Sequence, residues 1–405
     1  MDRTKIFMSK LAASEELREG TAESIAEAST QTSAEAVPRR PEDLLDIVSE
    51  NLSRMGERDA SMTTQADAPE FGSADWNRAR DMLLQSAKAT LVRAIGGEEP
   101  EADDGLVAEA VVIADGTRPS FLLCNDSVAS NDPFIGNWGG ELAAAELAGY
   151  KKLAKAVGRL QPQHGHASKF VGTGALMSVS DDELSGKVLT NWHVIDDARN
   201  KFGIGMSAQG DGLVVDDPMF IDFKGEACSL DTVLFKVVDV AFPVGAGRVF
   251  DGIDAAVVTI VRADGDKEFP EPVDSMSTDP GYANGSMTSL ATIGFPAKPS
   301  RSNSTVDWDF VLGTLFGNRF GVKRLAPGLF SEALGANPGD TGKRAIGHDA
   351  TTFGGNSGSP VFAWLDGQTP VFALHFAGRT EDNNYALSFA KEAVPLKDVG
   401  VPLAP

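Results

Sequence analysis

Three short stretches carry side chains that could do chemistry together. In Gly355-Asn356-Ser357-Gly358-Ser359-Pro360 a serine sits between glycines, in a turn that leads into the apolar run Val361-Phe362-Ala363-Trp364. A serine hydroxyl is a poor nucleophile at neutral pH and needs a base within hydrogen-bond reach. The chain has five histidines, His164, His166, His193, His348 and His375. His193 follows the strand-like Val188-Leu189-Thr190 and is the candidate base. A histidine base in turn needs a carboxylate to hold its tautomer and stabilise the imidazolium. Asp254 opens the run Ala255-Ala256-Val257-Val258, where a carboxylate is costly to bury unless it is partnered. Asp231 and Asp239 also adjoin apolar runs but lack that setting. Gly355 and Gly358 clear bulk from around the hydroxyl, and the backbone N–H groups of Gly355 and Ser357 are the expected donors to a developing oxyanion.

The order His, Asp, Ser and the flanking sequences resemble the chymotrypsin-like serine peptidases. The branch is the cysteine-poor bacterial one that includes the glutamyl endopeptidases and the high-temperature-requirement proteases. The matching stretches are Val171-Gly172-Thr173-Gly174-Ala175-Leu176, Leu189-Thr190-Asn191-Trp192-His193-Val194, Asp254 in its apolar run, Ile293-Gly294-Phe295-Pro296 and the serine turn, within residues 155–395. The resemblance implies a mainly β fold of two six-stranded antiparallel barrels, the first holding His193 and Asp254 and the second Ser357. It implies a serine endopeptidase working through an acyl-enzyme on protein or peptide substrates, with no cofactor and no metal. Position 359 is serine, so the Gly-x-Ser-x-Gly elbow of α/β-hydrolases is absent.

The same resemblance bears on specificity. Trypsin-like enzymes carry an aspartate at the pocket base near Thr351; its absence here argues against a preference for Lys or Arg. In glutamyl endopeptidases a histidine placed like His375, with a Thr or Ser near Thr352, contacts the substrate carboxylate. This implies a preference for Glu or Asp before the scissile bond. The competing reading leaves His375 packed under the pocket floor, with a small or apolar preference. His348 is expected to be structural, at the pocket wall. No Arg/Lys-Ile-Val-Gly-Gly boundary precedes residue 170, so activity without a maturation cut, or switched by a partner, is expected.

The elements that must position these residues follow from pattern. From about residue 168, short apolar runs alternate with Gly, Asp, Ser and Pro turns, which predicts many short strands. The predicted strands are 175–179, 187–190, 212–215, 232–238, 254–261, 289–294, 310–314, 359–364 and 370–376. Residues 1–105 read as an acidic, partly disordered extension with amphipathic helices near 41–55 and 75–95. Residues 106–158 read as a lead-in, a strand ending Phe121-Leu122-Leu123-Cys124 and a helix over 139–158, packing on a peptidase domain at 159–405. His164-Gly165-His166 is too sparse for a metal site, and 335–344 reads as a surface loop of the second barrel.

Composition excludes some classes. A net charge of −22 over 405 residues repels phosphates and argues against a nucleic-acid partner. No apolar run approaches the ~20 residues of a membrane span. The first ten residues lack the apolar core of a secretory signal, and with two cysteines, Cys124 and Cys228, the chain reads as cytoplasmic with reduced thiols. A peptidase kept inside the cell implies restraint, which the N-terminal helices could supply through a regulatory partner. The alternative reading is a latent or inactive peptidase-fold scaffold that binds partners through those helices.

Overall fold

The computed structural model describes residues 118–128, 132, 135, 138, 140, 142, 149–162, 169–248, 250–263, 267–284, 289–298, 316–337, 339–364, 369–378 and 384–404. The chain divides into two units. One comprises Arg118–Pro299, Arg319–Gly378 and Asn383–Pro405 and is described below. The other comprises 1–117, 300–318 and 379–382, nearly all outside the described residues. The expected N-terminal helices, His164, His166 and the strand expected at 310–314 therefore also lie outside them.

Strand β1 (Phe121–Cys124) and β2 (Ser127–Val128) form a hairpin. Its two turn residues, Asn125 and Asp126, both have positive φ (50° and 59°), which their short polar side chains tolerate. Helix α1 (Tyr150–Ala156) runs directly into β3 (Val157–Pro162), so the helix expected over 139–158 ends short and its tail is strand. Then come β4 (Gly172–Val179), β5 (Ser185–Thr190), α2 (Trp192–Asn200), β6 (Met206–Gln209), β7 (Gly212–Asp222), β8 (Leu234–Ala241) and β9 (Ala256–Arg262). The strands pair in the order β3-β4-β5-β9-β8-β7, and β7 pairs back to β3, which closes a six-stranded antiparallel barrel. Strand β6 extends this sheet beside β7. Leu176, Val188, Val237, Val258 and Ile260 are buried in this half.

The second barrel follows α3 (Pro280–Ala283). It consists of β10 (Ser289–Gly294), β11 (Arg324–Glu332), β12 (Ala345–His348), β13 (Pro360–Ala363), β14 (Val371–Gly378) and β15 (Asn384–Ser388), with α4 (Ala393–Asp398) near the end. Its order, β10-β13-β14-β15-β12-β11, closes through β10–β11. Closure leaves no edge inside either ring, so the backbone ladder is satisfied all the way round. Leu290, Ile346, Val361 and Phe372 fill the interior with many alanines (Ala326, Ala363, Ala373, Ala386). Strand β1, the first among the described residues, adds to this second barrel by pairing Phe121 with Leu325 and Leu122 with Arg324. Among the described residues no helix is long and apolar enough to cross a membrane.

A buried lysine ties these parts together. Lys323, fully buried just before β11, donates to the carbonyls of Ala154 and Phe223, both at 2.7 Å, with Asp126 Oδ1 3.6 Å away. Glu226 accepts the N–H groups of Asn125 and Asp126 at 2.8 Å each and pairs with Lys224 at 3.1 Å. Burial pushes the Lys323 ammonium down to about 8, against the pull of Asp126 and Glu226. An ammonium is tolerated there because acceptors from the β1–β2 turn, α1 and the end of β7 surround it. Removing one partner of such a cluster strands the rest. Lys323→Met is expected to lower stability by about 3 kcal/mol in urea denaturation at neutral pH; a variant as stable as the parent would refute this account of the junction.

Candidate active site

Strand pairing sets the first contact. β5 and β9 are in register with Thr190 opposite Ala256, which brings the start of α2 beside Asp254. Asn191 is the N-cap of α2, in extended backbone at φ −83° and ψ 152°. An N-cap side chain ordinarily accepts a first-turn N–H. Asn191 makes no such bond, and its amide instead donates to the Asp254 carbonyl at 2.8 Å. The Asp254 carboxylate takes over the cap: Oδ1 accepts the His193 N–H at 3.0 Å, and Oδ2 meets His193 Nδ1 at 2.7 Å. Asp254 is wholly buried and His193 nearly so. One carboxylate thus satisfies a helix N-terminus, where negative charge is favoured, and fixes an imidazole. A carboxylate only accepts, so the neutral ring carries its proton on Nδ1 and leaves the Nε2 lone pair free to take one. Arg248 holds the loop before Asp254 to the same helix through Asp197 at 3.0 Å.

The serine turn is fastened both by β4 of the first barrel and by its own barrel. Ser357 O accepts the Thr173 N–H at 2.9 Å, and the Thr173 hydroxyl donates to Gly355 O at 2.8 Å. Thr173 Oγ1 also accepts the Phe295 N–H at 3.2 Å, and its carbonyl accepts the Thr190 hydroxyl at 2.7 Å. On the second-barrel side, Gly358 N–H donates to His375 O and His375 N–H to Ser359 O, both at 2.9 Å. Gly355 and Gly358 have φ of 92° and 89°; a Cβ at 358 would lie 2.0 Å from the Thr173 carbonyl. Both turn glycines are therefore obligatory. A Cβ on Gly172 would lie 2.8 Å from Val194 and 3.1 Å from Ser357 O, so the serine turn adjoins the residue that follows His193. The Ser357 hydroxyl and the N–H groups of Gly355 and Ser357 bond to no described residue. The Gly354 carbonyl accepts the Ala297 N–H. The two ends of a peptide group point oppositely, so this bond turns the Gly355 N–H to the other side.

His375 lies on β14 and is buried, with Nδ1 3.2 Å from Nε2 of His348, which is also buried. Burial drives His375 well below the ordinary imidazole range, helped by the charges of His348 and His193. Burial likewise pushes His348 down to about 4. Thr352 is half-buried, and its hydroxyl donates to Asn384 Oδ1 at 2.7 Å, while Asn384 Nδ2 donates to Ala350 O at 2.6 Å. Of the residues expected at the site, Asp254 meets His193, the turn that holds Gly355 and Ser357 is bonded to the main chain of His375, and Thr352 lies against Asn384. Thr173, Asn191 and Asn384 were not singled out in the sequence, although the first two sit inside the motifs already quoted.

Among the described residues no group of three or more His, Cys, Asp or Glu side chains could hold a metal ion. The chain is 47% identical over 401 residues to a probable serine protease of Lysobacter enzymogenes, covering 98% of each. No family model matches it. Solved structures with likeness include the inactive form of the Rv3671c protease, at 17% identity, 67% of this chain, 98% of that one and TM-score 0.35. Another is the protease domain of MamO from Magnetospirillum magneticum, at 14% identity, 60% and 97% coverage and TM-score 0.34. The double barrel and the Lysobacter relative define the class: the chain belongs to the chymotrypsin-like serine proteases. It is accordingly a hydrolase that acts on protein or peptide substrates.

The buried histidines make acid stability testable. Their folded pKa values lie below the ordinary value of 6.5, so the fold holds them neutral where the unfolded chain binds protons. Their contribution is present above pH 6.5 and is lost as pH falls toward 4. His348→Phe should flatten the decline of unfolding free energy over that window in denaturation at stepped pH; a decline as steep as the parent's would contradict it.

Proposed function

We propose that Ser357, His193 and Asp254 form the catalytic triad of a serine endopeptidase. The observation that carries this reading is the double contact of His193 with buried Asp254, beside a serine turn pinned to the neighbouring strand. His193 Nε2 takes the hydroxyl proton as Ser357 Oγ attacks the scissile carbonyl. The Gly355 and Ser357 N–H groups receive the oxyanion, and two unengaged donors fit that role. The imidazolium then gives its proton to the leaving amine, and water on the resulting acyl-enzyme reverses the sequence. Ser357 and His193 share no hydrogen bond here, and such a bond commonly tightens only when substrate is bound. Ser357→Ala is expected to abolish casein cleavage and fluorophosphonate labelling. Cleavage at the parent rate would overturn the assignment, and a parent that takes no label would favour the latent-scaffold reading.

The pocket reading goes further, to Glu or Asp before the scissile bond. Two orientations of the His348–His375 bond exist. If His375 donated, His348 Nδ1 would carry a proton, and that buried atom has no partner. An orphaned donor costs more than an orphaned lone pair. The favoured arrangement has His348 donating, which puts the His375 proton on Nε2, a donor suited to a carboxylate. Thr352 must release Asn384 to add a second donor. In a peptide panel differing only before the scissile bond, Glu and Asp should be turned over at least tenfold faster than Ala or Leu; equal turnover would leave His375 a packing residue.

A further inference from the structure

Residues 349–352, where the specificity reading puts the pocket wall, belong to no helix or strand. They are nevertheless held, and much of the hold comes from the first described residue. Arg118 Nε and a terminal nitrogen fork the Asp349 carboxylate at 2.7 and 2.6 Å. The carboxylate also accepts the Leu329 N–H at 2.6 Å, and the Asp349 N–H returns to Leu329 O at 3.0 Å. Two residues on, the buried Thr351 hydroxyl donates to Arg118 O at 2.6 Å. Arg118 therefore grips the wall with side chain and main chain at once. Its guanidinium lies over Trp138, 5.7 Å from the ring centre, and Trp138 stacks on Trp364 at 6.0 Å, just past β13. The following residues are anchored too: Ser120 O accepts from Arg324, and β1 pairs with β11.

We infer that Arg118 is a positioning residue for the substrate pocket, so that an internal segment of the chain holds the wall in its working shape without a cut that exposes a new terminus. A two-point Arg–carboxylate pair fixes orientation as well as distance. The pair is mostly buried, with side-chain exposures of 8% and 22%, so water competes weakly for it. Without the fork, the Asp349 carboxylate loses its two-point partner, and Thr351 loses the segment to which its hydroxyl is bonded. Substrate binding should then suffer before bond-breaking, because Ser357, His193 and Asp254 are fastened by other contacts.

This inference rests on the triad proposal, and the test separates the two. The parent is first titrated with a fluorophosphonate, which needs the nucleophile but little of the pocket; failure to label defeats the triad and not the strap. Arg118→Gln, Arg118→Lys and Thr351→Val are then compared in peptide turnover, with folding checked by thermal unfolding. Arg118→Gln should raise KM about tenfold or more, with a smaller change in kcat and in labelling rate. Arg118→Lys, with one contact instead of two, should fall between. The ratio of turnover among peptides differing before the scissile bond should shift as well. If Arg118→Gln folds and keeps KM within twofold, the inference is wrong. If it does not fold, Thr351→Val decides, since it spares the ion pair; unchanged KM and unchanged selectivity there overturn it equally.

Discussion

The site depends on a carboxylate placed at the head of a helix. Asp254 closes the first turn of α2 through the His193 N–H and holds the ring of the same residue through Nδ1. Backbone and side chain of one histidine are thereby fixed by one group, and the ring has little freedom to swing. A lone buried carboxylate would be expensive, and here the helix dipole and two donors offset that cost. The arrangement explains why Asn191 forgoes its ordinary capping bond and steadies the Asp254 main chain instead. Helix, loop and strand β9 are locked around a single charge.

Thr173 plays the matching part between the barrels. It lies on β4 of the first ring, yet it holds the serine turn through its N–H and its hydroxyl, and it accepts from Phe295 beyond β10. A serine from one barrel can meet a histidine from the other only if the barrels keep their spacing. Thr173 sets that spacing with hydrogen bonds, and the turn glycines allow the approach.

Much of this was legible in the chain. The serine turn, the His193 motif and Asp254 announce themselves because each needs a rare local composition, and the alternating runs at 175–179, 187–190 and 289–294 are strands of the two rings. Other strands were hidden. β11 contains Pro327-Gly328, which reads as a turn until its pairing is seen on both sides. β3 continues the apolar spacing of α1 without a break, so periodicity cannot mark where helix becomes strand. β12 carries Gly347 and His348, and β15 opens on Asn384 and ends on Ser388, so neither shows a plain apolar run. The partners of Thr173 and Arg118 are contacts between distant segments, and no local signal encodes them.

Strand β1 has a consequence for how the molecule is made. It leaves the ribosome before either barrel, yet its partner β11 and the lysine beneath its turn come far later in the chain. The first barrel can close while this strand still waits, with its apolar Phe121 and Leu123 uncovered. Arg118 likewise has no aspartate to grip until residue 349 is synthesised. A nascent or truncated chain can therefore pair its histidine with its aspartate before the segment from residue 349 exists, and the contacts of Arg118 are a record that synthesis went that far.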